Sequence, residues 1–194
     1  ADGLVVNGED GMVVVDLTGQ ARVLLAGSPS VGWPVICPDN KHVAVLTDTL
    51  NDIGIWDLET GDKLHTLDGH ARQAYVASFS PDGNRLVTSS TDGTAIVWEI
   101  ETGSSLMEAE HGANITKAVF SPDEKFIATA GVNGSAKVWN ATNGEQVAIF
   151  EGHTSRVNNA EFNCDGTRLL TTSIDNTVRV WDPAVSNSRE LVQF

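Results

Sequence analysis

The stretch GHTSRVNNAEFNCDGTRLLTTSIDNTVRVWD, residues 152–182, joins a Gly-His pair to three short apolar runs and ends on Trp181-Asp182. Its landmarks recur along the chain. Four tryptophans follow one another at spacings of 42, 41 and 42 residues: Trp56, Trp98, Trp139 and Trp181. A weaker copy lies 41 residues before the first of these, where Val15 takes the tryptophan place. Because a fixed period of this length marks a repeat architecture, one structural unit is predicted to recur through the chain.

Turn signals divide each unit into four short segments. Residues 79–83, Phe-Ser-Pro-Asp-Gly, recur in altered form at 120–124 and 162–166. Proline presets φ and glycine accepts positive φ, so this sequence favours a tight turn. A second turn follows at 91–94 as Thr-Asp-Gly-Thr, a strong hairpin signal between alternating runs. About 42 residues then hold four strands, with no room for a helix.

Strands are therefore predicted throughout, and the second unit is expected to be irregular. It lacks His and Asp at the places where the other units have them, and Pro34 removes a ladder donor from its first strand. The predicted strands, unit by unit, are 2–8, 12–17 and 21–27; 30–37, 42–48, 52–58 and 63–68; 74–80, 85–90, 94–100 and 105–110; 115–121, 126–131, 135–140 and 146–151; and 157–163, 168–174, 177–183 and 189–194.

Gly-His and Trp-Asp pairs mark the two ends of the units. The Gly-His pair occurs as Gly69-His70 and Gly152-His153. The Trp-Asp pair occurs as Trp56-Asp57 and Trp181-Asp182, with near matches at Trp98-Glu99 and Trp139-Asn140. With this period, the chain resembles the WD-repeat family over essentially its whole length. The resemblance implies an all-β propeller of four-stranded blades around a central channel. One WD-repeat domain over residues 1–194 is expected, with about 4.7 blades at 1–27 (partial), 28–68, 69–110, 111–151 and 152–194.

The first blade is expected to lack its inner strand. The last blade already contains four predicted strands, so it has no additional strand that could complete the first blade. Rings of the family usually have seven blades, which needs about 290 residues at this period. We therefore expect an arc of a larger propeller of seven blades or more, with the remaining blades as partners. A compact five-bladed ring is the alternative.

His, Thr and Asp recur together and could suggest catalysis, since a hydroxyl, an imidazole and a carboxylate can form a nucleophilic triad. The same spacing appears in three blades, however, whereas a catalytic site is needed once. In the family these positions form a structural hydrogen-bond chain with the tryptophan, which fixes the packing between strands. We expect that role here, with a weaker chain in blade four, where Asn133 replaces Asp. The residues are His70, Thr88, Asp92, Trp98, His111, Thr129, Trp139, His153, Thr171, Asp175 and Trp181.

The resemblance also implies a partner-binding face around the channel mouth, with three positions per blade. Two lie three and five residues after the His, and the third directly precedes the Asp of the second turn. Carried over to the three regular blades, these positions are Gln73, Tyr75, Thr91, Asn114, Thr116, Val132, Arg156, Asn158 and Ile174. Tyr and Arg are frequent anchors of protein interfaces. Arg72 and Lys117 lie nearby as a basic spot, which favours an acidic or phosphorylated peptide.

Charge and composition exclude several function classes. A formal net charge of −14 argues against broad binding to nucleic acid or an anionic membrane. Two cysteines form no disulfide framework, which favours a reducing, cytoplasmic compartment. No apolar run is long enough to span a bilayer. The five histidines lack the paired spacing of zinc sites, and no phosphate-binding glycine loop is present, so neither metal nor cofactor is expected.

The function expected from the resemblance is a non-catalytic protein–protein interaction scaffold. One alternative is the C-terminal sensing or autoinhibitory propeller of a large nucleotide-switch protein of the NACHT or apoptosome-like kind, which an upstream P-loop would support. Another is an enzyme built on a propeller. That would need a single, non-repeating acid–base or metal cluster at the channel, and the sequence contains no such pattern.

Overall fold

In a computed structural model, the backbone is described for residues 3–8, 11–16, 21–26, 34–46, 51–184 and 190–193. Side chains are described for residues 34–46, 51–75 and 78–184. These parts of the chain form nineteen strands in five antiparallel sheets and no helix. The all-β class predicted from the sequence is confirmed.

Each sheet is one blade, and its strands follow one another in chain order. Blade one contains β1 (Gly3–Gly8), β2 (Gly11–Asp16) and β3 (Ala21–Ala26). Blade two contains β4 (Val35–Ile36), β5 (His42–Leu46), β6 (Ile53–Asp57) and β7 (Lys63–Leu67). Blade three contains β8 (Ala74–Phe79), β9 (Arg85–Ser90), β10 (Thr94–Glu99) and β11 (Ser105–Glu110). Blade four contains β12 (Ile115–Phe120), β13 (Phe126–Gly131), β14 (Ser135–Asn140) and β15 (Gln146–Glu151). Blade five contains β16 (Val157–Phe162), β17 (Leu169–Ser173), β18 (Val178–Trp181) and β19 (Glu190–Gln193).

The tryptophan position has the same backbone geometry in every blade. The register between the third and fourth strands shifts by a bulge directly before Trp56, Trp98, Trp139 and Trp181. Blade one has the same irregularity between Val14 and Val15. Val15 therefore occupies the tryptophan place in the backbone as well as in the sequence repeat.

Blade two is irregular, as the sequence predicted, and its inner strand is short. A strand over 30–37 was expected, but the described part of this segment pairs only at Val35 and Ile36. Pro34 directly precedes the pair and has no N–H to donate to a ladder. Residues 28–33 of the expected blade lie outside the described residues.

Neighbouring blades pack through their inner halves. The first strand of each of blades three to five contacts the second strand of the blade before it. Between blades three and four, Val87 and Val97 are buried against Ile115, Ile127 and Trp139. Alanines from blade four meet the corresponding residues of blade five in the same way. Small or β-branched side chains on one blade thus receive the large apolar side chains of the next.

Blade five has the same apolar face, but that face is open. Leu170 is 37% exposed, whereas Val87 and Ala128 at the matching positions of blades three and four are fully buried. Val178 and Val180 are likewise half-buried, and their counterparts in the two preceding blades are buried. Among the described strands, no extensive contact joins blade five to blade one. Blades two to five therefore form an arc, which blade one does not close in the described part of the chain.

A matched pair of lysine substitutions tests whether this face is open. Val87→Lys should lower the free energy of unfolding by several kcal/mol, because an ammonium group would be buried without a partner. Leu170→Lys, at the same position of blade five, should leave the melting temperature nearly unchanged. Circular dichroism melts of both variants measure the difference. Equal losses would mean that the face of blade five is covered in solution.

Candidate functional site

A buried polar network ties the strands of blade three together. The indole Nε1–H of Trp98 donates to Thr88 Oγ1 at 2.9 Å, and this oxygen lies 2.7 Å from His70 Nε2. On its other side, His70 Nδ1 lies 3.0 Å from Thr94 Oγ1, whose hydroxyl donates to Asp92 Oδ1 at 2.6 Å. Because the last acceptor is a carboxylate, the donors run in one direction from Trp98 to Asp92. His70 is then neutral, with its proton on Nδ1.

Blade five repeats the network with a direct contact between the imidazole and the carboxylate. Trp181 Nε1 donates to Thr171 Oγ1 at 2.8 Å, and this hydroxyl lies 2.8 Å from His153 Nε2. His153 Nδ1 is 2.9 Å from Asp175 Oδ2, compared with 3.4 Å for the corresponding pair in blade three. The two blades thus differ in how tightly the imidazole meets its carboxylate.

Blade four reaches the same number of links with different groups. Trp139 Nε1 donates to Thr129 Oγ1 at 2.9 Å, which lies 2.8 Å from His111 Nδ1. His111 Nε2 is 2.9 Å from Ser135 Oγ, and Ser135 donates to Asn133 Oδ1 at 2.9 Å. The imidazole is turned over relative to the other blades. The expectation of a weaker chain remains a prediction, since every link has hydrogen-bond length.

Sequence reasoning missed one member of each network, the hydroxyl next to the imidazole. It is supplied by Thr94, Ser135 and Thr177, each two residues after the Asp or Asn. The signal was present, because all three blades have a hydroxyl residue at this place. In the sequence it is indistinguishable from an ordinary turn residue, since Ser and Thr are common in turns.

Burial makes the histidines of these networks poor candidates for catalysis. The side chains of His70 and His153 are only 1% and 2% exposed, so neither ring can touch a bound substrate. Desolvation lowers the pKa of His70, and desolvation with the nearby Lys137 charge lowers the pKa of His111 to about 4. Burial alone would raise the pKa of Asp92, but hydrogen bonds from Thr94 and Ala71 hold it below its ordinary value.

Blade two has the tryptophan without the network. Trp56 is fully buried, and its Nε1 has no hydrogen-bond partner among the described residues. The hydroxyl that precedes Trp98, Trp139 and Trp181 by ten residues is replaced here by Leu46. Lys63 Nζ instead lies 5.1 Å from the centroid of the Trp56 ring, in a cation–π contact.

Six of the nine predicted face residues meet in three pairs at one end of the blades. In each regular blade, the N–H of the residue before the turn Asp or Asn donates to the carbonyl that lies three residues after the His. These bonds join Thr91 to Gln73 at 2.9 Å, Val132 to Asn114 at 3.0 Å, and Ile174 to Arg156 at 3.1 Å. Two of the three positions per blade are thereby held side by side.

Most side chains of this set are open to solvent. Ile174, Val132 and Tyr75 are 57%, 40% and 37% exposed, and they are three of the six exposed large hydrophobic side chains among the described residues. Gln73, Asn114, Arg156 and Asn158 are exposed, and Thr91 is half-buried. Thr116 differs, because its hydroxyl donates to Val157 O of blade five at 2.6 Å and approaches Ala130 O at 3.1 Å. Thr116 thus links two blades and offers little to a partner.

The family model of the WD domain, G-beta repeat (WD40), matches residues 61–99, 104–140 and 144–182, more than half of the chain. The chain therefore belongs to the WD40 family, and residues 61–182 contain three WD repeats. None of the described residues forms a helix that is long and apolar enough to cross a membrane.

Curated relatives contain WD-type regions similar to this chain. Autophagy-related protein 16 of Arabidopsis thaliana is 27% identical over 74% of this chain and 28% of its own length. Serine-threonine kinase receptor-associated protein of Mus musculus is 28% identical over 70% of this chain and 39% of its own. U3 small nucleolar RNA-associated protein 12 of Saccharomyces cerevisiae is 26% identical over 82% of this chain and 18% of its own length. The matched region thus spans well under half the length of these relatives.

Two adjacent hydroxyls in blade three allow a controlled test of the network. Thr88→Val should lower the free energy of unfolding by about 2–4 kcal/mol, because the indole N–H of Trp98 and Nε2 of His70 both lose a buried partner. Ser89→Ala removes a buried hydroxyl that has no partner among the described residues, so it should be neutral or slightly stabilising. Chemical denaturation measures both. Similar losses in the two variants would contradict a structural role for the network.

The pKa of His111 gives a pH dependence of defined sign. Folding lowers this pKa from 6.5 to about 4, so between these values the unfolded state binds the proton and the folded state does not. The free energy of unfolding should therefore fall as pH falls from 6.5 to 4, by up to about 3 kcal/mol from this residue. Urea titrations across this range should give a shallower dependence for His111→Gln. An unchanged slope would show that His111 titrates normally.

Proposed function

We propose that this chain is a non-catalytic interaction scaffold whose partner is a protein or peptide bound on the face formed by the predicted residues other than Thr116. The observation that carries the proposal is the exposure of Tyr75, Val132 and Ile174 at equivalent ends of adjacent blades. Large apolar groups on an otherwise polar surface mark interaction sites when they are grouped. Here the repeat itself groups them, because each blade supplies one set of positions.

Exposed polar side chains on the same face can make specific hydrogen bonds and ion pairs with a partner. Gln73, Asn114 and Asn158 are exposed and can donate and accept hydrogen bonds. The exposed guanidinium of Arg156 can pair with a carboxylate in a bidentate manner. An aromatic ring and an arginine among uncharged polar residues form the composition from which interface hot spots are built.

The charge on this face favours an acidic or phosphorylated peptide. Arg72 and Arg156 are exposed and Lys117 is half-buried, in a chain whose formal net charge is −14. A local basic spot on an acidic molecule attracts a negatively charged segment while repelling other acidic surfaces. One relative is named for its association with a small nucleolar RNA, yet this net charge favours contact with a protein subunit over contact with RNA phosphates.

The open face of blade five supports a place within a larger assembly. Its exposed Leu170 and half-buried Val178 and Val180 match the surface that blades three and four use to receive the next blade. Further blades of a larger propeller are the occupants that fit, since they would repeat the packing between blades three and four. Two free cysteines, one of them exposed, fit a reducing compartment such as the cytoplasm.

A double substitution on the face tests the proposed binding. Tyr75→Ala with Arg156→Ala should abolish recovery of the partner in affinity capture from cell extract, because one apolar anchor and one charged anchor are removed. The melting temperature should stay unchanged, since both side chains are exposed. Capture of tagged protein followed by quantitative mass spectrometry measures the effect.

Leu106→Ala with Arg168→Ala provides the matched control. These substitutions also remove one large apolar and one basic exposed side chain, but from the outer strand of blade three and the opposite end of blade five. The control should retain the partners of the unmodified protein. If the control loses them and the face variant keeps them, binding takes place elsewhere on the molecule.

A further inference from the structure

The first turn of blade two brings three potential metal ligands together. One ligand atom from each of Cys37, Asp39 and His42 lies within 4.8 Å of the other two. Asp39 Oδ2 is 2.6 Å from His42 Nδ1, and Asp39 Oδ1 accepts the N–H of Lys41 at 2.7 Å, which holds the carboxylate in place. Ligand atoms bound to one tetrahedral zinc ion stand about 3.5 Å apart, so the three groups need only small shifts to enclose an ion.

The corresponding turns of the other blades have different residues at the positions of Cys37 and His42. In blade three, Ser80 Oγ takes the place of the sulfur and donates to Asp82 at 2.6 Å, and Ser121 repeats this contact with Asp123 in blade four. Arg85 takes the place of His42. The aspartate is therefore part of the common turn, whereas the thiol and the imidazole, which are preferred zinc ligands, come together only in blade two.

An acidic cleft gives access to this turn. Asp39 and His42 line a cleft of about 720 Å³ between blades two and three, together with His65, Glu99 and Glu101. No lysine or arginine is among the described residues that line it. A cleft lined by charges of one sign raises the local concentration of the opposite ion, here a cation. Water can fill the fourth ligand position from this side.

We propose that Cys37, Asp39 and His42 bind a divalent transition-metal ion, with zinc as the best fit. The spacing of the histidines predicts no metal site. It does not reveal this ligand set, which contains only one histidine together with a cysteine and an aspartate from the same turn. On binding, the ion replaces the thiol proton, which is released to solvent. The imidazole proton moves from Nδ1 to Nε2 so that Nδ1 can coordinate. Thiolate and carboxylate then balance the two charges of the ion.

Burial of the sulfur sets the conditions for binding. Cys37 is 1% exposed, and its thiol donates to Gly83 O at 3.4 Å. Desolvation by burial raises the pKa of this thiol. Because zinc binds the thiolate, binding releases the thiol proton.

Cobalt and zinc titrations of the EDTA-stripped, reduced protein test the proposal. Cobalt should produce a thiolate-to-metal charge-transfer band in the near ultraviolet, saturating at one ion per chain. Zinc should abolish this band and raise the melting temperature, because it binds only the folded site. Isothermal titration calorimetry in two buffers should detect the released proton.

The ligands can be replaced by residues that occupy the same positions in the corresponding turns of the other blades, so that the variants remain folded. Cys37→Ser and His42→Arg introduce the residues that blades three and four or blades three and five already have at these places. Each should keep the melting temperature of the metal-free protein and weaken zinc binding at least about tenfold. Cys164→Ser removes the other cysteine and should leave the cobalt band intact. Absence of the band, or its loss in Cys164→Ser but not in Cys37→Ser, would overturn the proposal.

Discussion

A buried indole N–H costs free energy when it has no acceptor, and the regular blades of this molecule depend on how that acceptor is supplied. Trp98, Trp139 and Trp181 each donate to a threonine hydroxyl ten residues earlier, on the neighbouring strand. The hydroxyl is in turn bonded to a histidine from the segment that leads into the blade. Strands that could slide past one another if held only by apolar contacts are thereby fixed in one register.

The same network prepares the surface that we propose for binding. Asp92 accepts the N–H of Ala71 at 2.8 Å, and Asp175 accepts the N–H of Thr154 at 3.0 Å. These bonds fix the backbone immediately before the exposed residues that open the inner strands of blades three and five. Buried hydrogen bonds thus position exposed side chains, and substitution of those side chains can change the partner without disturbing the blade. This separation between a constant interior and a variable face suits a scaffold.

Much of the fold could be predicted because each unit gives its own turn signals and period. In blades three to five, every strand lies within two residues of its predicted bounds. The hydroxyls of Thr94 and Ser135 were not recognised as members of the network, because nothing in a turn sequence shows that a serine or threonine faces an imidazole. The grouping of Cys37 with His42 also escaped prediction, since it depends on a turn geometry set by the Cys37 N–H to His42 O bond and by the hydrogen bonds of Asp39.

Blade two shows what happens without the network. Trp56 is as deeply buried as Trp98, Trp139 and Trp181, yet its N–H is unpaired among the described residues. The inner strand of this blade, which Pro34 precedes, has only two residues. Native-state hydrogen exchange, resolved by strand, tests most directly whether the network rather than apolar burial sets the order of a blade. We predict that amides of β5 and β6 exchange faster than those of β9 and β10, although both pairs carry a buried core. Equal protection of the two blades would contradict this result and leave apolar burial as the dominant constraint.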